Sequence, residues 1–252
     1  MTLRLLSLFL LGTLLRADAL GDLRDALARL DGQSPVKASV EYQFWNRQGD
    51  DKQPVVTEGR AAATVEDGPQ GLRMSWAPDL LKAAAREAQA QATDPEAKAA
   101  TRQALEGLRA LEGLRALTVR DALHGAEALL RTLDQAQLVE AREDTWQGKP
   151  ARLLRLKVTP RLSRQDRKYV KEMEASAQVW LGADGLPLAA KTQVHLKGRA
   201  FLVISFEQQE RETFRFARSG GRLVVVQHAK ESSGSGGGER GQRKTVMTLH
   251  LA

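Results

Sequence analysis

The sequence predicts an α+β protein built on a strongly curved antiparallel sheet of about ten strands, with amphipathic helices covering its apolar face. Three observations carry that reading. Stretches of strict apolar–polar alternation, separated by Gly, Pro and Asp turns, occur in both the first and the last part of the chain. Between them, over about 79–134, lies a segment rich in Ala, Leu, Gln, Glu and Arg that has few β-branched residues and favours helix. Strands and helices never alternate regularly, which excludes a doubly wound parallel sheet.

The chain begins with an export address. Arg4 follows the initiating Met, an apolar run covers 5–15, and Ala17-Asp18-Ala19 supplies a small-x-small exit, so residues 1–19 read as a signal peptide, too short to span a bilayer. Cleavage after Ala19 predicts a periplasmic protein, and with no Cys anywhere, lipid attachment at a cysteine is excluded. Leu20, Leu23, Leu27 and Leu30 then recur at helical spacing, and Gly32-Gln33-Ser34-Pro35 stops that helix. Ala38, Val40, Tyr42 and Phe44 alternate with polar residues as a first strand. Residues 55–65 and 72–76 follow as two more, joined by polar turns into a meander.

Two helices are expected over 79–117, with Thr93-Asp94-Pro95 as the restart, and the hexapeptide EGLRAL occurs twice, over 106–111 and 112–117. One duplication does not make a solenoid. Thr118 and Asp121 read as a capping box for one further helix ending near Asp134. Strands are then expected at 138–146, 151–158, 174–181, 188–197, 200–209, 212–218, 223–231 and 244–251. The Gly/Ser-rich segment 232–242 reads as a long flexible connection. Each strand with one apolar face needs a cover, so the concave face between sheet and helices is the natural apolar cavity.

Roughly 230 residues remain after the signal, enough for one domain over 20–252 with the helices as an insertion. The absence of Cys removes disulfides, thiolate metal sites and cysteine nucleophiles. A formal charge of +7, carried by 38 basic and 31 acidic residues, describes a mixed, solvated surface. Nucleic acid is not an expected partner of an exported protein, whereas a lipid or acylated protein, an envelope protein or an anionic membrane surface is.

The segment Val179-Trp180-Leu181-Gly182-Ala183-Asp184-Gly185-Leu186-Pro187-Leu188 runs from an apolar strand through an Asp-Gly-Leu-Pro turn into another strand. Together with the order of signal, helix, meander, inserted helices and second strand run, it resembles the periplasmic lipoprotein-carrier superfamily of LolA and LolB, which includes envelope-sensor domains with an unclosed barrel. The resemblance implies a half-barrel that holds acyl chains between sheet and helices. The Ala-rich helical segment and the glycine-rich connection depart from that pattern.

Catalytic chemistry finds no support in the motifs. His124, His195, His228 and His250 stand far apart without metal-ligand spacing. No G-x-S-x-G elbow is present, and Gly236-Gly237-Gly238 lacks the Lys-Ser/Thr and helix of a phosphate loop. An exported hydrolase would need a Ser or His with an orienting partner in one pocket. A non-enzymatic protein without catalytic residue, metal or cofactor is therefore expected. The residues expected on the concave apolar face are Tyr42, Phe44, Leu72, Met74, Trp76, Val179 and Leu181, as ligand contacts or as packed core; Trp45 and Trp180 alternate onto opposite faces. Arg161, Arg164, Arg167, Lys168 and Lys171 form a basic group between two strands. The function these readings suggest is binding of a lipid, a lipoprotein acyl chain or another apolar ligand. The alternative is an envelope sensor or assembly factor that contacts a partner through the inserted helices.

Overall fold

A computed structural model describes residues 19–30, 32–50, 52–93, 106–160, 162–163, 166–200 and 204–252. The expected export signal, Arg161, Arg164 and most of the helix restart at 94–95 lie outside them. Helix α1 (Ala19–Ala28) precedes strands β1 (Val36–Gly49), β2 (Val55–Asp67) and β3 (Arg73–Trp76). Helices α2 (Pro78–Thr93), α3 (Glu106–Gly113), α4 (Ala116–Leu123) and α5 (Gly125–Leu133) come next. Strands β4 (Ala136–Trp146), β5 (Lys149–Val158), β6 (Val170–Leu181), β7 (Pro187–Ala200), β8 (Ile204–Ser219), β9 (Arg222–Gly236) and β10 (Glu239–Leu251) complete the chain, with a short 3-10 turn at Asp166–Lys168.

All ten strands form one curved antiparallel sheet in the order β3-β2-β1-β10-β9-β8-β7-β6-β5-β4. Consecutive strands pair with one another except β3 and β4, and the last strand returns to the first, pairing Ala38 with Leu251 and Gly49 with Arg240. The sheet does not close, because β3 and β4 remain as its two edges. Between those edges in sequence come the helices, and α3, α4 and α5 pack on the concave face.

Alternation decides which residues meet the helices. Along β1, Val36, Ala38, Val40, Tyr42 and Phe44 are buried and the residues between them are exposed, as one-sided burial of a period-two chain requires. They join Ala61, Ala63 and Val65 of β2, Met247 and Leu249 of β10, and Ala110, Leu114, Val119 and Leu123 of the helices in one cluster. A second cluster seats Leu20, Leu23 and Leu27 of α1 over Leu154, Leu156, Val179 and Leu181. The opposite face holds a small third cluster in which Trp180 packs against Trp146, with Lys191 Nζ 5.4 Å from its ring centroid and its indole N–H donating to Asp144 at 3.1 Å.

Three local expectations give way to the structure. The segment 232–242 is a regular hairpin rather than a loop: β9 and β10 run to a two-residue turn, Gly237-Gly238, whose φ values of 62° and 86° suit the turn that joins twisted strands. The two strands expected over 200–218 are the single strand β8, since Glu210 and Glu212 keep extended backbone and pair with Lys230 across the ladder. The helix expected beyond Thr118 begins earlier, after Arg115 with no side-chain cap, and breaks at His124 (φ −115°, ψ 49°), whose ring turns into the sheet.

Candidate functional site

Among the described residues the helices cover only part of the concave face. Beyond α3, near the end of the sheet where β1, β8, β9 and β10 meet, a cavity of about 610 Å³ stays open. Phe44 and Phe206 supply its aromatic walls, Asn46, Gln48, Gln208 and Ser232 its polar groups, and Glu112, Glu207 and Arg243 its charges. Local sequence makes this space. Phe206 lies opposite Gly236 on β9 and Gly198 on β7, and a Cβ on Gly198 would fall 2.2 Å from the Phe206 ring. Glycine at 198 is therefore what lets that ring lie flat against the sheet.

The seven residues expected to contact a ligand divide between two clusters. Tyr42 and Phe44 belong to the first, against which Leu72, Met74 and Trp76 are partly buried. Val179 and Leu181 lie in the second, under α1. Only Phe44 of the seven lines the open cavity. The indole N–H of Trp76 is buried without a hydrogen-bond partner among the described residues. Sequence reasoning missed Phe206 and the Gly198–Phe206–Gly236 row, although an aromatic residue two strands' width of glycine apart only becomes a signal once register is known.

Between the cavity and the covered core sits a charged floor. Cross-strand register places Glu210, Glu212 and Phe214 of β8 beside Ser232, Lys230 and His228 of β9 on one face. Lys230 Nζ donates to Glu210 at 2.7 Å and to Glu212 at 3.0 Å. His228 stacks on Phe214 at 4.4 Å between centroids, with Nε2 3.1 Å from Glu212 Oε2. Burial alone would raise the Glu212 carboxyl, but the His228 hydrogen bond and the Lys230 charge outweigh it and lower it to about 2. The same two carboxylates hold the Lys230 ammonium above its ordinary range against its own burial.

At the opposite end of the sheet a second polar group ties the helices down. Arg222, 2% exposed, donates through Nη1 to Asp67 Oδ2 at 2.6 Å and through Nε to the Ser34 carbonyl. His124 Nε2, at the break between α4 and α5, is 2.8 Å from Asp67 Oδ2 and 3.1 Å from Arg222 Nη1. The group thus joins β2, β9, the segment before β1 and the helix junction. Through Asp67 and Arg222, His124 anchors the helix junction to the sheet. Beside it lies a smaller cavity of about 230 Å³ lined by Leu27, Leu30, Leu130 and Leu223.

Among the described residues no three His, Asp or Glu side chains converge as a metal-ligand set. What the open cavity offers is hydrogen bonding and apolar contact in similar measure. No protein-family model and no curated protein sequence matches this chain.

Proposed function

We propose that this is a periplasmic, non-enzymatic binding protein of the LolA/LolB-like unclosed-barrel type, taking an amphipathic lipid or an acylated chain on its concave face. The observation that carries the reading is the 610 Å³ cavity left where the helical cover stops, with Phe44 and Phe206 on its walls and amide and hydroxyl groups around them. An acyl segment would lie against the two rings, gaining about 0.8 kcal/mol per buried methylene. The polar end would face Asn46, Gln48, Gln208 and Ser232. The charged floor limits how far an apolar chain can run inward, because covering Glu210 and Lys230 with methylenes would strip them of water.

Native mass spectrometry of the exported chain, followed by organic extraction, tests this. A stoichiometric acyl species that is lost in Phe206→Asp, with the far-UV signal intact, is the expected result. An empty protein that also fails to take up a fluorescent fatty acid refutes it. A second reading, contact with a partner protein through the helices, is favoured by one observation: Leu117 at the start of α4 is 75% exposed. Loss of a co-purifying protein in Leu117→Ser, with the cavity empty, would select that reading.

A further inference from the structure

The open cavity holds polar groups that the fold does not use. Asn46, Gln48, Glu112, Gln208, Ser232 and Arg243 line it, and among the described residues none of these side chains makes a hydrogen bond or an ion pair. The charged floor beside them differs, since Lys230 holds Glu210 and Glu212, and His228 meets Glu212. Register sets the cavity residues in two rows across β1, β10, β9 and β8. One row runs Gln48, Gly241, Gly234, Gln208, and the next runs Asn46, Arg243, Ser232, Glu210. Both share the concave side with Phe44, because residues two apart on a strand face the same way. With neighbouring strands about 4.8 Å apart, the two glutamines stand about 14 Å from each other across bare backbone.

The two glycines between them are not required by the strands. Neither has a positive φ, and a Cβ would meet its nearest neighbour at 3.5 Å on Gly234 and at 3.9 Å on Gly241. A glycine inside a strand weakens it, and one with room for a side chain marks a place where a ligand can approach the backbone.

The charges around this patch disfavour an anionic head group. Glu112 and Arg243 are one of each sign, Glu207 adds a second carboxylate, and Lys230 already faces two. Acids outnumber bases, so a phosphate or a carboxylate gains no net attraction. A quaternary ammonium would use the rings and the acids and leave the amides idle. Three amides and one hydroxyl remain, groups that both donate and accept. They match the adjacent hydroxyls of a sugar, which do the same, while Phe44 and Phe206 can cover its C–H faces.

We infer that the polar end of the ligand is a saccharide, as in a glycolipid. The inference rests on the proposed binding role of the cavity and specifies the chemistry bound there. The sugar lies over Gly234 and Gly241, with Gln48 and Gln208 reaching it from either side and Asn46 and Ser232 from the second row.

Titration calorimetry of the exported chain with dodecyl maltoside, dodecylphosphocholine and dodecanoate, each below its micelle concentration, tests it. The maltoside should bind at least about tenfold tighter than the other two. Gln48→Ala with Gln208→Ala should weaken the maltoside by about tenfold and leave dodecanoate unchanged. Gly234→Val with Gly241→Val should abolish maltoside binding while the thermal midpoint stays level or rises, since valine suits a strand better than glycine. Equal affinity for the three amphiphiles would overturn the saccharide and leave the lipid reading standing, whereas binding of none would overturn both. Maltose bound as tightly as its dodecyl form would keep the saccharide and sink the lipid reading. A midpoint that falls in the valine pair, or a maltoside affinity that the alanine pair leaves unchanged, would also overturn the proposal.

Discussion

Removing the Asp67 carboxylate should be among the most damaging single changes this fold can suffer. Asp67→Ala leaves the Arg222 guanidinium, 2% exposed, with the Ser34 carbonyl and His124 as its remaining partners, neither of them anionic. Leaving a buried charge without its counter-ion typically costs about 3–5 kcal/mol. A domain of this kind is stable by about 5–15 kcal/mol, so a large share of the total is at stake. In urea at neutral pH, with a slope of about 3 kcal/mol/M, the midpoint should fall by about 1–1.7 M. Asp67→Ala combined with Arg222→Met should recover most of that loss, since the expense lies in the orphaned cation more than in the missing pair. The reasoning is wrong if Asp67→Ala unfolds within about 1 kcal/mol of wild type, or if the double variant is no better than the single one.

Two further outcomes follow from the same geometry. Because the Glu212 carboxyl is lowered to about 2 in the folded protein, the stability it confers is present above the unfolded value of about 4.3 and is lost as pH falls toward 2. Denaturation measured across that window should fall less steeply for Glu212→Gln than for wild type; identical slopes would mean that His228 and Lys230 do not hold the carboxylate. Gly113→Ala places a Cβ 2.1 Å from the Tyr42 ring, so its overpacking cost of about 1–3 kcal/mol should exceed the helix-propensity gain of at most about 1 kcal/mol, which is partial at the last residue of α3. Thermal unfolding should show a lower midpoint that Tyr42→Leu partly restores, whereas a higher midpoint for the single variant would refute the close packing.

Much of the architecture was legible because side-chain period records burial directly. The alternation from Val36 to Phe44 marks which face is covered whatever the strand pairs with, and the Ala-, Leu- and Glu-rich segment has no better local option than helix. Where neighbours compete with local signals, the reading failed. Glu210 and Glu212 look like a break until Lys230 stands across the ladder, and Gly237-Gly238 looks flexible until the twist of β9 and β10 selects a two-residue turn. His124 sits within a helical pattern and leaves it because Asp67 and Arg222 lie within bonding reach.

The sequence by itself determined which residues turn inward and where strand gives way to helix, since both follow from spacing within a few residues. Tertiary structure alone decided that the last strand closes on the first, that Asp67 meets Arg222 across 155 residues, and that Phe206 rests on Gly198 at the mouth of a cavity. The physical reason is that a charge, an aromatic ring or a glycine carries no mark of its distant partner. That choice is made when the whole sheet settles on the register that buries its apolar face.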